Sequence, residues 1–193
     1  MRDPFRALLA LPVGLMLAAS LAACAPTNEM PAEAAVQEAP AAVDADALAG
    51  DLLKDWEALE DTMMQLGDAM PAEKFGYKPT DELRSFGEQL MHISMSSVGM
   101  IARLDAAATA PELGEPVEKA DVLAAMGKAF DFGSEVLRGK SAAWAQEIVE
   151  GPRYLGPSTR TRIVYRTMTH TWDEYGAMTV YLRLNGIVPP ASR

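Results

Sequence analysis

The stretch Ser158–Leu184, STRTRIVYRTMTHTWDEYGAMTVYLRL, decides the fold. It reads as one long helix. Asn185-Gly186 ends it, and Pro189-Pro190 prevents its continuation. His170 and Glu174 stand four residues apart, so they project from one face. Arg166, Met178 and Tyr181 align with them. A polar line along an otherwise apolar helix points to a groove or cavity inside a bundle.

Upstream, the same three- and four-residue rhythm recurs. From about Asp46 to Leu66, the residues Leu52, Leu53, Trp56, Leu59, Met63 and Leu66 form a stripe. Pro71 and Phe75-Gly76-Tyr77-Lys78-Pro79 stop that helix. Thr80 is the expected N-cap of a second, with Asp81 and Glu82 in its first turn. Its apolar face is Leu83, Phe86, Leu90, Ile93, Ser97, Ile101 and Leu104. Thr109 to Pro116 is a loop. A third helix starts near Glu118, with Leu123, Met126, Phe130 and Leu137 on its stripe, and is weakened by Gly127, Gly133 and Gly139. Gly139 to Pro157 is a longer connection with room for a short helix around Trp144. No segment alternates well enough to demand a strand. Four long amphipathic helices make an all-α four-helix bundle.

The N-terminus has a different character. Arg2 and Arg6 precede an apolar run, Ala7 to Ala23, that ends in Leu21-Ala22-Ala23-Cys24. This matches a bacterial lipobox, with residues 1–23 as the signal peptide and Cys24 as the lipidated residue. An uncleaved anchor, or an ordinary secretory signal with a stray cysteine, is the competing reading. Cys24 is the only cysteine, which leaves neither a disulfide nor a thiol nucleophile. Residues 24–45 are rich in Ala, Pro, Glu and Gln and read as a disordered tether. Residues 46–193 then form one domain. The expected location is the cell envelope, lipid-anchored and extracytoplasmic. Ala25 rather than Asp after Cys24 favours the outer membrane in a Gram-negative source.

The formal net charge is −10. Residues 1–23 contribute Arg2, Arg6 and Asp3, a net +1, which leaves −11 on the rest. With no basic stripe, nucleic acid and anionic lipid surfaces are not expected partners. Membrane attachment comes from the acyl chains instead.

Only two histidines occur, His92 and His170, on separate helices. If those helices pack together, two imidazoles and Glu174 converge, a set suited to a divalent transition metal with open positions. Several alternatives stand beside this one. A single helical His is more often a hydrogen-bonded structural residue. His170 and Glu174 equally suit an exposed ion pair worth a few tenths of a kcal/mol. Asp173 competes with Glu174, because i, i+3 also shares a face. The twelve methionines fit core filling rather than a copper site. Trp56, Trp144 and Trp172 fit core or rim positions.

Two segments carry a resemblance. Met70-Pro71-Ala72-Glu73-Lys74-Phe75-Gly76-Tyr77-Lys78-Pro79-Thr80, followed by Arg84-Ser85-Phe86-Gly87-Glu88 and Met91-His92-Ile93, resembles the opening of DinB-like (YfiT-type) proteins. The run His170-Thr171-Trp172-Asp173, with Tyr175-Gly176 and Tyr181 to Pro190, resembles that family's last helix. The resemblance implies a four-helix bundle with a long crossover. It also implies a metal site of one histidine on the second helix and two on the last, spaced His-x-x-x-His. His92 and His170 fall on the first two positions, and Glu174 stands at the third. Ala177 stands where the family often has Gln.

Implied with it is the metal-dependent chemistry of thiol-dependent transferases and isomerases, in which zinc, nickel or iron lowers the pKa of a bound thiol; a metal-bound water in a hydrolase is the other version. An exported protein suits the hydrolytic version better, since low-molecular-weight thiol cofactors are cytosolic. Glu88 and Asp173 are the expected groups that orient the ligating imidazoles. The alternative is a non-catalytic envelope lipoprotein that binds a small ligand or a partner. A homodimer burying a helix face is a third option.

Overall fold

The computed structural model describes residues 45–193. The expected signal peptide, Cys24 and the tether up to residue 44 lie outside the described residues. The chain forms α1 (Ala45–Ala69), α2 (Phe86–Ile101), α3 (Lys119–Leu137), the short α4 (Ala142–Gln146) and α5 (Arg160–Leu184). The main packed pairs are α1–α3, α2–α3, α2–α5 and α1–α5. They close a ring in the order α1, α3, α2, α5. Chain neighbours α1 and α2 therefore lie across the diagonal, as do α3 and α5, and both links are long.

The stripes expected from the sequence build the core. Trp56, Leu59, Met63 and Leu66 of α1 are fully buried, as are Phe86, Leu90, Ile93 and Ile101 of α2. The Trp56 ring packs on Phe130 at 5.1 Å between centroids, and its Nε1 donates to the Phe130 carbonyl at 2.9 Å. Gly133 of α3 is required there: a Cβ at this position would lie 2.3 Å from the indole ring. The glycine that weakens α3 in isolation admits the tryptophan that anchors it to α1.

The N-terminus of α2 corrects the sequence reading. Helix begins at Phe86, not after Thr80, and Leu83 is exposed rather than on the core face. Ser85 and Glu88 form a capping box. Ser85 Oγ accepts from the Glu88 amide, and Glu88 Oε2 accepts from the Ser85 amide at 2.6 Å. Two further donors of this end are satisfied by the preceding segment, Phe86 to the Tyr77 carbonyl and Gly87 to that of Phe75.

Two short strands form a second correction. Ile148–Glu150 (β1) and Pro157–Thr159 (β2) pair as an antiparallel hairpin. Three residues each, they are too short to show a period of two. The second strand runs directly into α5, capped by Thr159 Oγ1 accepting from the Arg162 amide. At the far end of α5, Ile187 donates to the Leu182 carbonyl and Gly186, at φ +73°, to that of Arg183. This is the Schellman arrangement that Asn185-Gly186 announces.

Candidate metal centre

The α2–α5 contact brings the two histidines together. His92 follows Leu90 and Met91 at the edge of the buried stripe of α2. On α5 the buried line is Ile163, Thr167, Thr171 and Met178. Thr167 and Thr171 hydroxyls donate to carbonyls one turn back, at 2.8 and 3.1 Å, so they close against the core without loose polar groups. His170 and Glu174 flank this line at the helix edge facing α2. The imidazole rings stand perpendicular, 5.5 Å between centroids.

Glu174 Oε1 lies 3.8 Å from His92 Nε2 and 3.9 Å from His170 Nδ1. One ligand atom from each residue falls within 4.8 Å of the others. Two donors bound about 2.0–2.2 Å from one cation stand at most ~4.3 Å apart. Both separations from Glu174 meet that limit, and the three ligand atoms, all within 4.8 Å, come onto a shared ion with small side-chain rotations. The Glu174 side chain is only 19% exposed and serves both imidazoles. It is not the exposed i, i+4 pair that spacing alone allows.

A residue that the sequence reading left without a role fixes Glu174. Gln89, buried on α2 one turn before His92, donates Nε2 to Glu174 Oε2. That engages one carboxylate oxygen and leaves Oε1 for the imidazoles. Arg84 Nη1 in turn donates to Gln89 Oε1 at 3.4 Å, and Tyr181 Oη donates to the Arg84 carbonyl at 3.1 Å. Burial, with help from the Glu174 charge, pushes the Tyr181 phenol up, which keeps it a donor. Burial and then the Arg84 charge hold the His92 imidazole below its ordinary value, partly offset by Glu174. The neutral form, which metal ligation needs, is favoured.

The two groups expected to orient the imidazoles lie elsewhere. The Glu88 carboxylate caps α2 and pairs with Lys78 at 3.4 Å. Its capping bonds, first to the Ser85 amide, hold it below the usual carboxylate range. Asp173 is exposed on the outer side of α5. Glu174 alone of the two acids faces His92.

Two grooves meet at this point. One, of about 440 Å³, runs along α2 and α5 under the hairpin and is walled by both imidazoles, Met100, Arg103, Tyr154 and Arg166. The other, of about 460 Å³, lies on the far side of His92, between Arg84, Met95 and residues 114–117.

The model of the DinB family matches residues 43–193. The chain belongs to the DinB family. Among solved structures it is similar to a DinB-like protein from Bacillus cereus ATCC 10987, at 16% identity and a TM-score of 0.61, over 73% of this chain and 95% of that one. It is also similar to the DinB-like protein YjoA from Bacillus subtilis, at 15% identity and a TM-score of 0.58, over 70% and 92%. No curated protein matches the chain in sequence. The structural likenesses speak to the DinB fold, and the all-α bundle expected from the sequence is the one observed.

Proposed function

We propose that this DinB protein is a lipid-anchored envelope protein that holds a divalent transition cation, zinc, nickel or iron, for hydrolysis or group transfer on a small molecule. The ligands are His92 Nε2, His170 Nδ1 and Glu174 Oε1. The single observation that carries this reading is the convergence of one ligand atom from each of these three residues within 4.8 Å. Two imidazoles and a carboxylate leave coordination positions open for a substrate, and such sets suit zinc and non-haem iron. When bound, the cation supplies Lewis acidity to a nucleophile or an electrophile in the groove.

The chain's own residues prepare the site. Gln89 fixes the rotation of the Glu174 carboxyl group. Arg84 holds Gln89, and the Tyr181 hydroxyl holds the Arg84 backbone. The groove is the space in which a substrate reaches both imidazoles. Export and lipidation at Cys24 rest on the lipobox-like Leu21-Ala22-Ala23-Cys24. Ala25 supports placement at the outer membrane of a Gram-negative cell.

Cobalt(II) substitution tests the ligand set. Visible ligand-field bands of a four- or five-coordinate ion are expected in the wild type, and their loss in Glu174→Ala. A spectrum identical to that of aqueous cobalt in the wild type would contradict the site.

A further inference from the structure

The groove beside the imidazoles differs from the rest of the surface in charge. The whole chain carries 27 acidic and 17 basic residues. Yet this groove is lined by Arg103, Arg166 and the two histidines, with no Asp or Glu among its lining residues. The groove on the far side of His92 carries Glu88 and Glu115, and those elsewhere carry Asp46, Asp68, Glu112 or Glu118. Among the described residues, neither Arg103 nor Arg166 reaches a carboxylate within ion-pair distance. Arg166 has only the Thr169 hydroxyl, at 3.4 Å.

Position along the groove adds to this. Glu174 meets Gln89 while Arg160 Nε donates to the Leu104 carbonyl, so α2 and α5 run antiparallel. Arg166 therefore stands one turn from His170, and Arg103 stands towards the opposite end. Between them lie apolar surfaces: Met100, Pro152 and the ring of Tyr154, whose hydroxyl donates to Met100 Sδ at 3.8 Å. A guanidinium fork matches the planar oxygens of a carboxylate or the oxygens of a phosphate. A groove of about 440 Å³ is of the size that takes small molecules.

We infer that the substrate of this site is a small organic anion, with its carboxylate or phosphate held by one of the two guanidiniums, Arg103 or Arg166, and an apolar body lying on Met100, Pro152 and Tyr154. This names the substrate class of the metal site proposed above, and takes the groove as its substrate side. In a protein of net charge −10, long-range electrostatics repel an anion. The local pair of unpaired guanidiniums gives the groove the opposite sign.

Calorimetric titration of the full chain in non-ionic detergent tests the inference. The probes are 4-phenylbutyrate, phenyl phosphate and the uncharged 4-phenylbutyramide, with bound metal quantified in the same preparations. Binding of at least one anion, none of the amide, and a loss of about tenfold or more in Arg103→Gln/Arg166→Gln are expected, since each charge-assisted hydrogen bond is worth about that much. The affinity is expected to fall as salt rises. The tighter of the two anions identifies the acid group. No binding of either anion, equal binding of amide and carboxylate, or unchanged affinity in the double variant would overturn it. Metal present with arginine-independent binding defeats the anion assignment alone. Arginine-dependent binding in protein that takes up no metal defeats the metal reading alone.

Discussion

Glu174 stands where the family resemblance expects a third imidazole, and its Oε1 faces both His92 and His170. A carboxylate rotates freely unless its second oxygen is held, and Gln89 holds it. Gln89→Leu is therefore expected to weaken metal binding about 10–100-fold, the usual cost of losing a group that orients a ligand, with helix content unchanged. Competition with a chelator of known affinity measures this, and wild-type affinity in the variant would refute the role. Glu174→His is expected to keep the metal, because an imidazole there restores three donors on the same face. Glu174→Ala is expected to lose it. The pairing of His170 with Glu174 was legible from an i, i+4 step, whereas the meeting with His92 came only with the family resemblance, because spacing does not show which helices pack. Gln89 was not legible, because its partner lies 85 residues away. Assigning the orienting role to Glu88 missed by one position, and one step around a helix is about 100°. That difference separates the buried face from the cap.

The apolar stripes of α1, α2 and α3 named those helices because burial follows the 3.6-residue period closely here. Their ends were read less well. Thr80-Pro79 and the acids after it imitate an N-terminus, but Ser85-Phe86-Gly87-Glu88 is the stronger signal, a serine followed three residues later by glutamate. The hairpin escaped because its strands are stabilised by pairing with each other, not by a buried alternating face. Two glycines of α3 separate packing from propensity. Gly133→Ala is expected to destabilise the protein by about 1–3 kcal/mol, since the new methyl meets the rigid Trp56 ring. Gly127→Ala has open space and is expected to stabilise by up to about 1 kcal/mol. Urea unfolding of both variants checks the pair, and equal effects would contradict the Trp56–Gly133 contact.

The molecule as a whole keeps its buried core and its candidate site in different places. The core of Trp56, Phe86, Phe130 and their neighbours is one buried apolar cluster, while the candidate site lies at the edge of the α2–α5 contact. Chelation is therefore expected to leave the helical circular dichroism intact and to lower Tm. At metal 100-fold above Kd the lost stabilisation is about 2.7 kcal/mol, or roughly 5–10 °C for a domain of this size. Unfolding on chelation would show that the metal builds the fold. At the cellular level, wild-type protein is expected to incorporate labelled fatty acid and Cys24→Ser to incorporate none. Absence of label in the wild type would point to an unlipidated secretory signal or an uncleaved apolar anchor instead. The central claim is the metal itself, and its quantification by mass spectrometry in untagged protein is the most direct test. Near-stoichiometric zinc, nickel or iron is predicted in the wild type, and its loss in each of His92→Ala, His170→Ala and Glu174→Ala. A wild-type protein that takes up no metal after reconstitution would contradict it.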